Sequence, residues 1–144
     1  MDANRRFDNV YSDFYDRPVE LTEAELNYFR SVAGKFNPIM EDYLGVVLPI
    51  YNRNHDEMQG KHKDALGIFY TDDKENLLAD AFITIDNFFI HECYESVFNN
   101  FPNIAFSTLE ETIAHEIAHG LVFRHGKKHR ELTQMILKQY QTII

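Results

Sequence analysis

The segment that most constrains the fold is His115-Glu116-Ile117-Ala118-His119, which lies in a stretch with the signals of a helix from about Thr108 onward. An α-helix has about 3.6 residues per turn, so residues four apart lie on the same face and both imidazoles can point at one ion. Thr108 with Glu111, or Ser107 with Glu110, offers a capping box where this helix would begin. The pattern therefore predicts a helix that presents two histidines together.

The side chains around the two histidines predict that this helix is buried. The flanking residues are apolar or small: Ile113, Ala114, Ile117, Ala118 and Leu121. Buried histidines need partners, and a metal ion supplies them. The H-E-x-x-H spacing is typical of zinc hydrolases, in which two imidazoles hold Zn²⁺, the ion lowers the pKa of its bound water, and the glutamate takes the proton. His115 and His119 are therefore predicted zinc ligands, and Glu116 is the predicted catalytic general base.

A catalytic zinc site needs a third protein ligand in addition to water, and two downstream histidines are candidates. If the helix ends near Gly120, the chain can turn back and present His125 at the start of the next helix. If the helix continues to Gly126, His125 is carried nearly two turns along the axis, and His129 is better placed. We expect His125 to be the third ligand, with His129 as the alternative.

Composition restricts the class of protein. A length of 144 residues favours one domain over residues 1–144. The formal net charge of -9 disfavours a broad surface for nucleic acid or anionic membrane. The single cysteine, Cys93, excludes an intramolecular disulfide and a cysteine-rich zinc ribbon, and its apolar surroundings predict a core position. No apolar run has the length of a membrane span and no signal-peptide pattern is present, so we expect a cytoplasmic protein without membrane contact.

The hydrophobic pattern along the chain predicts an α+β fold that is mainly helical. Helices are expected over residues 22–34, 38–44, 87–99, from 108 onward, and from 127 to the C-terminus; strands are expected over 46–51, 65–71 and 77–85. The last two strands should pair as an antiparallel hairpin, and we expect this short sheet to pack on the H-E-x-x-H helix. Pro49 confines the first strand to an edge or a bulge. Residues 1–21 are expected to form a loosely packed N-terminal arm, and 52–64 a mobile loop.

The residues from Thr112 to His119, followed by His125-Gly126-Lys127-Lys128 and an apolar helix, resemble the SprT-like and WLM zinc metallopeptidases. In those families a third histidine opens the helix that follows H-E-x-x-H. The resemblance covers about residues 65–144 and implies a gluzincin-like catalytic domain, with His115, His119 and His125 as zinc ligands and Glu116 as general base. His129 stands where the families usually have an aromatic residue.

The resemblance also implies a protein or peptide as substrate. Some members cleave proteins bound to DNA, so DNA contact is implied by the resemblance alone, and the acidic net charge does not support it. The oxyanion-stabilising residue is not singled out; Tyr140 and the histidine left over from the metal site are candidates.

A second interpretation is a non-catalytic zinc-binding regulatory or interaction protein that keeps a metallopeptidase-like fold. The two interpretations differ at the metal, because an enzyme needs an open coordination position in a cleft, whereas a structural zinc site is closed by a fourth protein ligand.

Overall fold

The computed structural model describes residues 19–54, 65–101 and 107–143. Helices and strands alternate irregularly along these residues, which confirms the predicted α+β class. The elements are α1 (Glu23–Lys35), α2 (Asn37–Leu44), β1 (Ile50–Arg53), β2 (Gly67–Tyr70), β3 (Phe82–Asp86), α3 (Asn87–Asn99), α4 (Leu109–Ala118) and α5 (Lys127–Thr142).

Local capping signals set the ends of the first three helices close to where the sequence predicts them. The Thr22 and Glu25 side chains form a reciprocal capping box at the start of α1. Gly45 ends α2 in the left-handed conformation, at φ 76°. The Asp86 side chain accepts a hydrogen bond of 3.0 Å from the backbone N–H of Phe89 and so caps α3.

The sheet is mixed, with strand order β1-β3-β2. β2 and β3 pair antiparallel, which confirms the predicted hairpin. β1 pairs parallel with β3, so the predicted short antiparallel sheet is limited to the hairpin of β2 and β3. The edge position of β1 is confirmed, and β3 lies between the two other strands with Ile83 and Ile85 fully buried.

Two strand boundaries differ from the prediction. β1 begins at Ile50, after Pro49, and continues through Arg53 into the predicted loop. β3 begins at Phe82, because backbone hydrogen bonds form consecutive turns before it: Asn76 N–H donates to the carbonyl of Asp73, and Ala79 N–H donates to that of Asn76. The hairpin connection is therefore longer than the short polar turn expected.

The helix that carries the histidines is buried as predicted on one flank. Ile113, Ala114, Ile117 and Ala118 have no exposed surface, whereas Leu121 is 46% exposed because it lies beyond the end of α4. Cys93 is buried, which confirms its predicted core position.

Tyr140 also belongs to the core. Its ring stacks on Phe36 with a centroid distance of 4.4 Å. The ring therefore contributes to core packing, and the suggestion that Tyr140 stabilises an oxyanion stays a prediction.

The end of the expected N-terminal arm is tied to the domain. Leu21 is buried, Val19 N–H donates to Oδ1 of Asn54 at 2.9 Å, and Asn87 Nδ2 donates to the carbonyl of Val19 at 3.0 Å. Residues 1–18 of the arm and 55–64 of the predicted loop lie outside the described residues. Among the helices that the structure describes, none has the length and apolar character needed to cross a membrane.

Candidate metal centre

The path of the chain after α4 decides which histidines meet. Thr108 caps the start of α4: its Oγ1 accepts a hydrogen bond of 3.0 Å from the backbone N–H of Glu111. α4 ends at Ala118, and the next turn tightens: His119 N–H donates to the carbonyl of Glu116, and Gly120 N–H donates to that of Ile117. The helix therefore ends near Gly120, the first of the two predicted paths.

Gly120 allows this turn to pack closely. A Cβ atom at position 120 would lie 2.9 Å from Cδ2 of Leu44 and 3.2 Å from Cδ2 of Leu78. These distances are shorter than ordinary van der Waals contact, so a larger residue would require the Leu44 and Leu78 side chains or the turn itself to shift.

Three imidazole nitrogens converge where the chain turns back. Nε2 of His125 lies 3.1 Å from Nε2 of His115 and 3.1 Å from Nε2 of His119. Nitrogen ligands of one tetrahedral zinc ion lie roughly 3.3 Å apart, given Zn–N bonds of about 2.0–2.1 Å. The two separations from His125 are therefore close to the spacing that a shared ion requires.

The ring of His119 is oriented by a hydrogen bond on its other nitrogen. Nδ1 lies 3.2 Å from the carbonyl oxygen of Val122, in the turn after α4. Donation from Nδ1 leaves the lone pair on Nε2, the atom that faces His125. Outer hydrogen bonds of this kind commonly fix the tautomer of metal-binding histidines.

His129 reaches the same place from the first turns of α5. Ligand atoms of His115, His119 and His129 lie within 4.8 Å of one another, close enough to hold a metal ion. Nε2 of His129 also lies 2.9 Å from the backbone carbonyl oxygen of His115. Both histidines proposed from the sequence as third ligands are thus brought to the cluster.

His115 and His119 are held in their neutral form. Burial, with smaller contributions from the neighbouring histidines, lowers the pKa of His115 to about 2 and that of His119 to about 3. Neutral imidazole is the form that binds a metal ion. Near neutral pH the two side chains are therefore ready to bind a cation without first losing a proton.

Glu116 lies between α4 and the sheet. Its side chain is 1% exposed, and Oε2 is 3.9 Å from Nε2 of His115. The backbone of β2 covers it: a Cβ atom at Gly67 would lie 3.0 Å from Cγ and 3.1 Å from Oε2 of Glu116. Gly67 was not predicted as a site residue, although a glycine inside a strand pattern indicates a close approach of the backbone to another group.

The chain matches no family model, no curated protein and no solved structure. The resemblance to SprT-like and WLM metallopeptidases therefore depends on the quoted residues alone and stays a prediction.

A cavity of about 800 Å³ opens beside the histidines. Side chains of α4 and α5, including His115 and His129, form much of its wall. His125 from the connection between these helices and Leu66 from the segment before β2 line it as well. Ser107, Thr112 and Thr133 contribute hydroxyl groups. A cavity of this size is in the range that holds a small molecule or several side chains of a peptide.

Proposed function

We propose that this protein is a zinc-dependent metallopeptidase in which His115, His119 and His125 hold the ion and Glu116 is the general base. The observation that carries the proposal is the convergence of three imidazole Nε2 atoms, with two separations of 3.1 Å, beside a cavity that His115 and His125 line. A buried glutamate one residue after the first histidine completes the set.

The donor atoms support zinc as the cation. Three neutral imidazoles are an established ligand set for catalytic zinc, and oxygen-preferring cations such as Mg²⁺ and Ca²⁺ disfavour them. The hydrogen bond between His119 and the Val122 carbonyl supplies the outer contact that zinc-binding histidines usually have.

Zinc bound here would polarise the scissile carbonyl and lower the pKa of water. Residues of the chain would bind the substrate and transfer the proton. The cavity between α4 and α5 would hold the protein or peptide substrate beside the three histidines. Glu116 would accept a proton from the attacking water and deliver it to the nitrogen of the leaving amine.

Two features of its surroundings support Glu116 as the general base. Its burial excludes competing solvent, and the β2 backbone at Gly67 limits the positions open to its carboxylate. A base that is held in place before the substrate binds loses less entropy in the reaction.

The test is the Glu116→Gln substitution, assayed on an unstructured protein substrate with zinc present. We expect one zinc per chain to remain bound, because Glu116 is not a proposed ligand, and hydrolysis to fall by about 10²-fold or more. Glu110→Gln is the matched control, because it makes the same carboxylate-to-amide change in the first turn of the same helix, five residues before His115. Cleavage by Glu116→Gln at the rate of the unsubstituted protein would reject the mechanism.

The second candidate is a non-catalytic zinc-binding protein with regulatory or interaction function. The position of His129 favours it, because its ring lies beside those of the other three histidines, and four imidazoles around one ion would make a closed site. Full zinc occupancy together with no cleavage of a diverse peptide library would support this candidate over the enzyme.

A further inference from the structure

The histidine cluster contains one more imidazole than the proposed zinc site uses. Across all six pairs among His115, His119, His125 and His129, the ring centroids lie between 4.1 and 5.2 Å apart. His129 makes the two shortest ring contacts in the cluster: its ring lies 4.1 Å from that of His119 and 4.3 Å from that of His115.

The end of α4 explains how His129 is oriented. In a regular helix the backbone carbonyl of His115 would accept a hydrogen bond from the N–H of His119. Here that N–H donates to the backbone carbonyl of Glu116 instead. Nε2 of His129 replaces the His119 N–H as donor to the His115 carbonyl oxygen, at 2.9 Å. Donation from Nε2 requires the tautomer whose lone pair is on Nδ1, so Nδ1 is the atom through which His129 would bind a metal ion.

We propose that the cluster provides two overlapping ligand sets for one ion, with His115 and His119 common to both. His125 completes one set and His129 the other. The 3.1 Å separations support the first set, and the mutual approach of His115, His119 and His129 within 4.8 Å supports the second.

Binding of both sets at once closes the site. Four imidazoles fill the four positions of a tetrahedral zinc ion and leave none for water or a substrate carbonyl. His129 is then an internal inhibitory ligand, and the open form requires it to withdraw. This inference rests on the proposed zinc site but not on hydrolysis, so it holds for the non-catalytic candidate as well.

The first experiment compares zinc affinity in His125→Ala, His129→Gln and the double variant, by competition with a chromophoric chelator. Glutamine at position 129 can still donate to the His115 carbonyl but is a poor zinc ligand, so it separates the capping contact from ligation. We expect His125→Ala to keep one zinc per chain and the double variant to bind roughly 10-fold more weakly or worse. Equal affinity of these two variants would overturn the second ligand set.

The second experiment measures closure through Co²⁺ substituted for zinc. Azide should change the visible spectrum of the His129→Gln protein more strongly than that of the unsubstituted protein, because only the variant has an open position. Equal responses to azide would show that His129 does not close the site. Circular dichroism checks folding of each variant, and His129→Asn is measured in parallel as a second amide.

The two proposals fail in different ways. If His129 does not bind the ion, the inference of two ligand sets fails, but the effect of Glu116→Gln on hydrolysis stays as expected. If the protein binds zinc but cleaves no substrate, the proposed enzymatic function fails, but the comparison of zinc affinities still tests the two ligand sets.

Discussion

The backbone of Gly67 lies directly against the side chain of Glu116. A Cβ atom at position 67 would lie 3.0 Å from Cγ and 3.1 Å from Oε2 of Glu116, and 3.1 Å from Cγ2 of Thr112. The edge strand β2 and the histidine-bearing helix α4 therefore meet at a contact that only glycine permits without displacement.

Gly67→Ala is expected to move the carboxylate of Glu116 by several tenths of an ångström. Displacement of a catalytic group by such amounts lowers kcat by roughly 10- to 100-fold. Zinc stoichiometry should stay the same, because the side chains nearest to the added Cβ atom are Glu116 and Thr112, and neither is a proposed ligand. Steady-state kinetics together with metal analysis check both expectations.

Gly34→Ala is the control for this substitution. Gly34 lies in α1, and a Cβ atom there would meet nothing within 4 Å. Alanine should stabilise the helix by about 0.5–1 kcal/mol and leave kcat unchanged. Equal kinetic effects of the two substitutions would argue against a positioning role for Gly67.

Zinc should raise the melting temperature of the protein. A ligand that binds only the folded state at 100 times its Kd adds about 2.7 kcal/mol, equivalent to about 5–10 °C for a chain of this size. Differential scanning fluorimetry with zinc and with a chelator measures the shift. His119→Ala, which removes a ligand common to both proposed sets, should show little or none of it.

The buried ion pair Arg53–Asp86 should stabilise the fold independently of the proposed metal site. NH1 of Arg53 lies 3.5 Å from Oδ1 of Asp86, and the Arg53 guanidinium also donates to Thr84 Oγ1 and to the carbonyl of Ala65. Removing one member of a buried ion pair costs about 3–5 kcal/mol, because the remaining charge stays buried. Arg53→Met should lower the free energy of unfolding in urea by that amount.

The double variant Arg53→Met/Asp86→Asn separates charge from helix capping. Asparagine still accepts a hydrogen bond at the N-cap, so the start of α3 is preserved while the carboxylate charge is removed. We expect the double variant to be more stable than Arg53→Met. A double variant that is less stable would mean that the cost does not come from the uncompensated charge.

Acid should weaken the contact between α1 and α3 through Glu25. Burial raises the pKa of Glu25, but hydrogen bonds from the Thr22 backbone and from His91 outweigh it, and the pKa lies below 4.5. The stabilisation from the ionised carboxylate is therefore complete above the unfolded-state pKa and is lost as the pH falls through the lower folded-state pKa.

Urea unfolding from about pH 7 to about pH 3 tests this expectation. Glu25→Gln should be less stable than the unsubstituted protein near neutrality, and the difference should shrink in acid. Glu23→Gln, an exposed carboxyl on the same helix turn, is the control and should show a smaller difference. A difference for Glu25→Gln that does not change with pH would contradict the assignment.

Several features follow from the local sequence. The caps at Thr22, Asp86 and Thr108 form between residues three apart, and the pairing of His115 with His119 follows from helical periodicity. These interactions join neighbours in the chain, so residue spacing is enough to predict them. The glycines after the motif also marked a turn, although the pattern allowed two places for it.

Other features depend on contacts between distant parts of the chain. The parallel pairing of β1 with β3 was not predicted, because a short strand next to Pro49 does not specify its partner. The sequence predicts strand where turns precede β3, because Leu77 and Leu78 continue an apolar pattern that local hydrogen bonds interrupt.

At the site, the sequence alone determined the chemistry of the side chains: two histidines on one face of a buried helix, a glutamate beside them, and two more histidines after a turn. Only the tertiary structure decided where those later histidines lie. The turn at Gly120 must pack on Leu44 and Leu78 to bring His125 back, and α5 must lie along α4 to bring His129 in. Such positions depend on packing between elements far apart in the chain, which residue spacing does not encode.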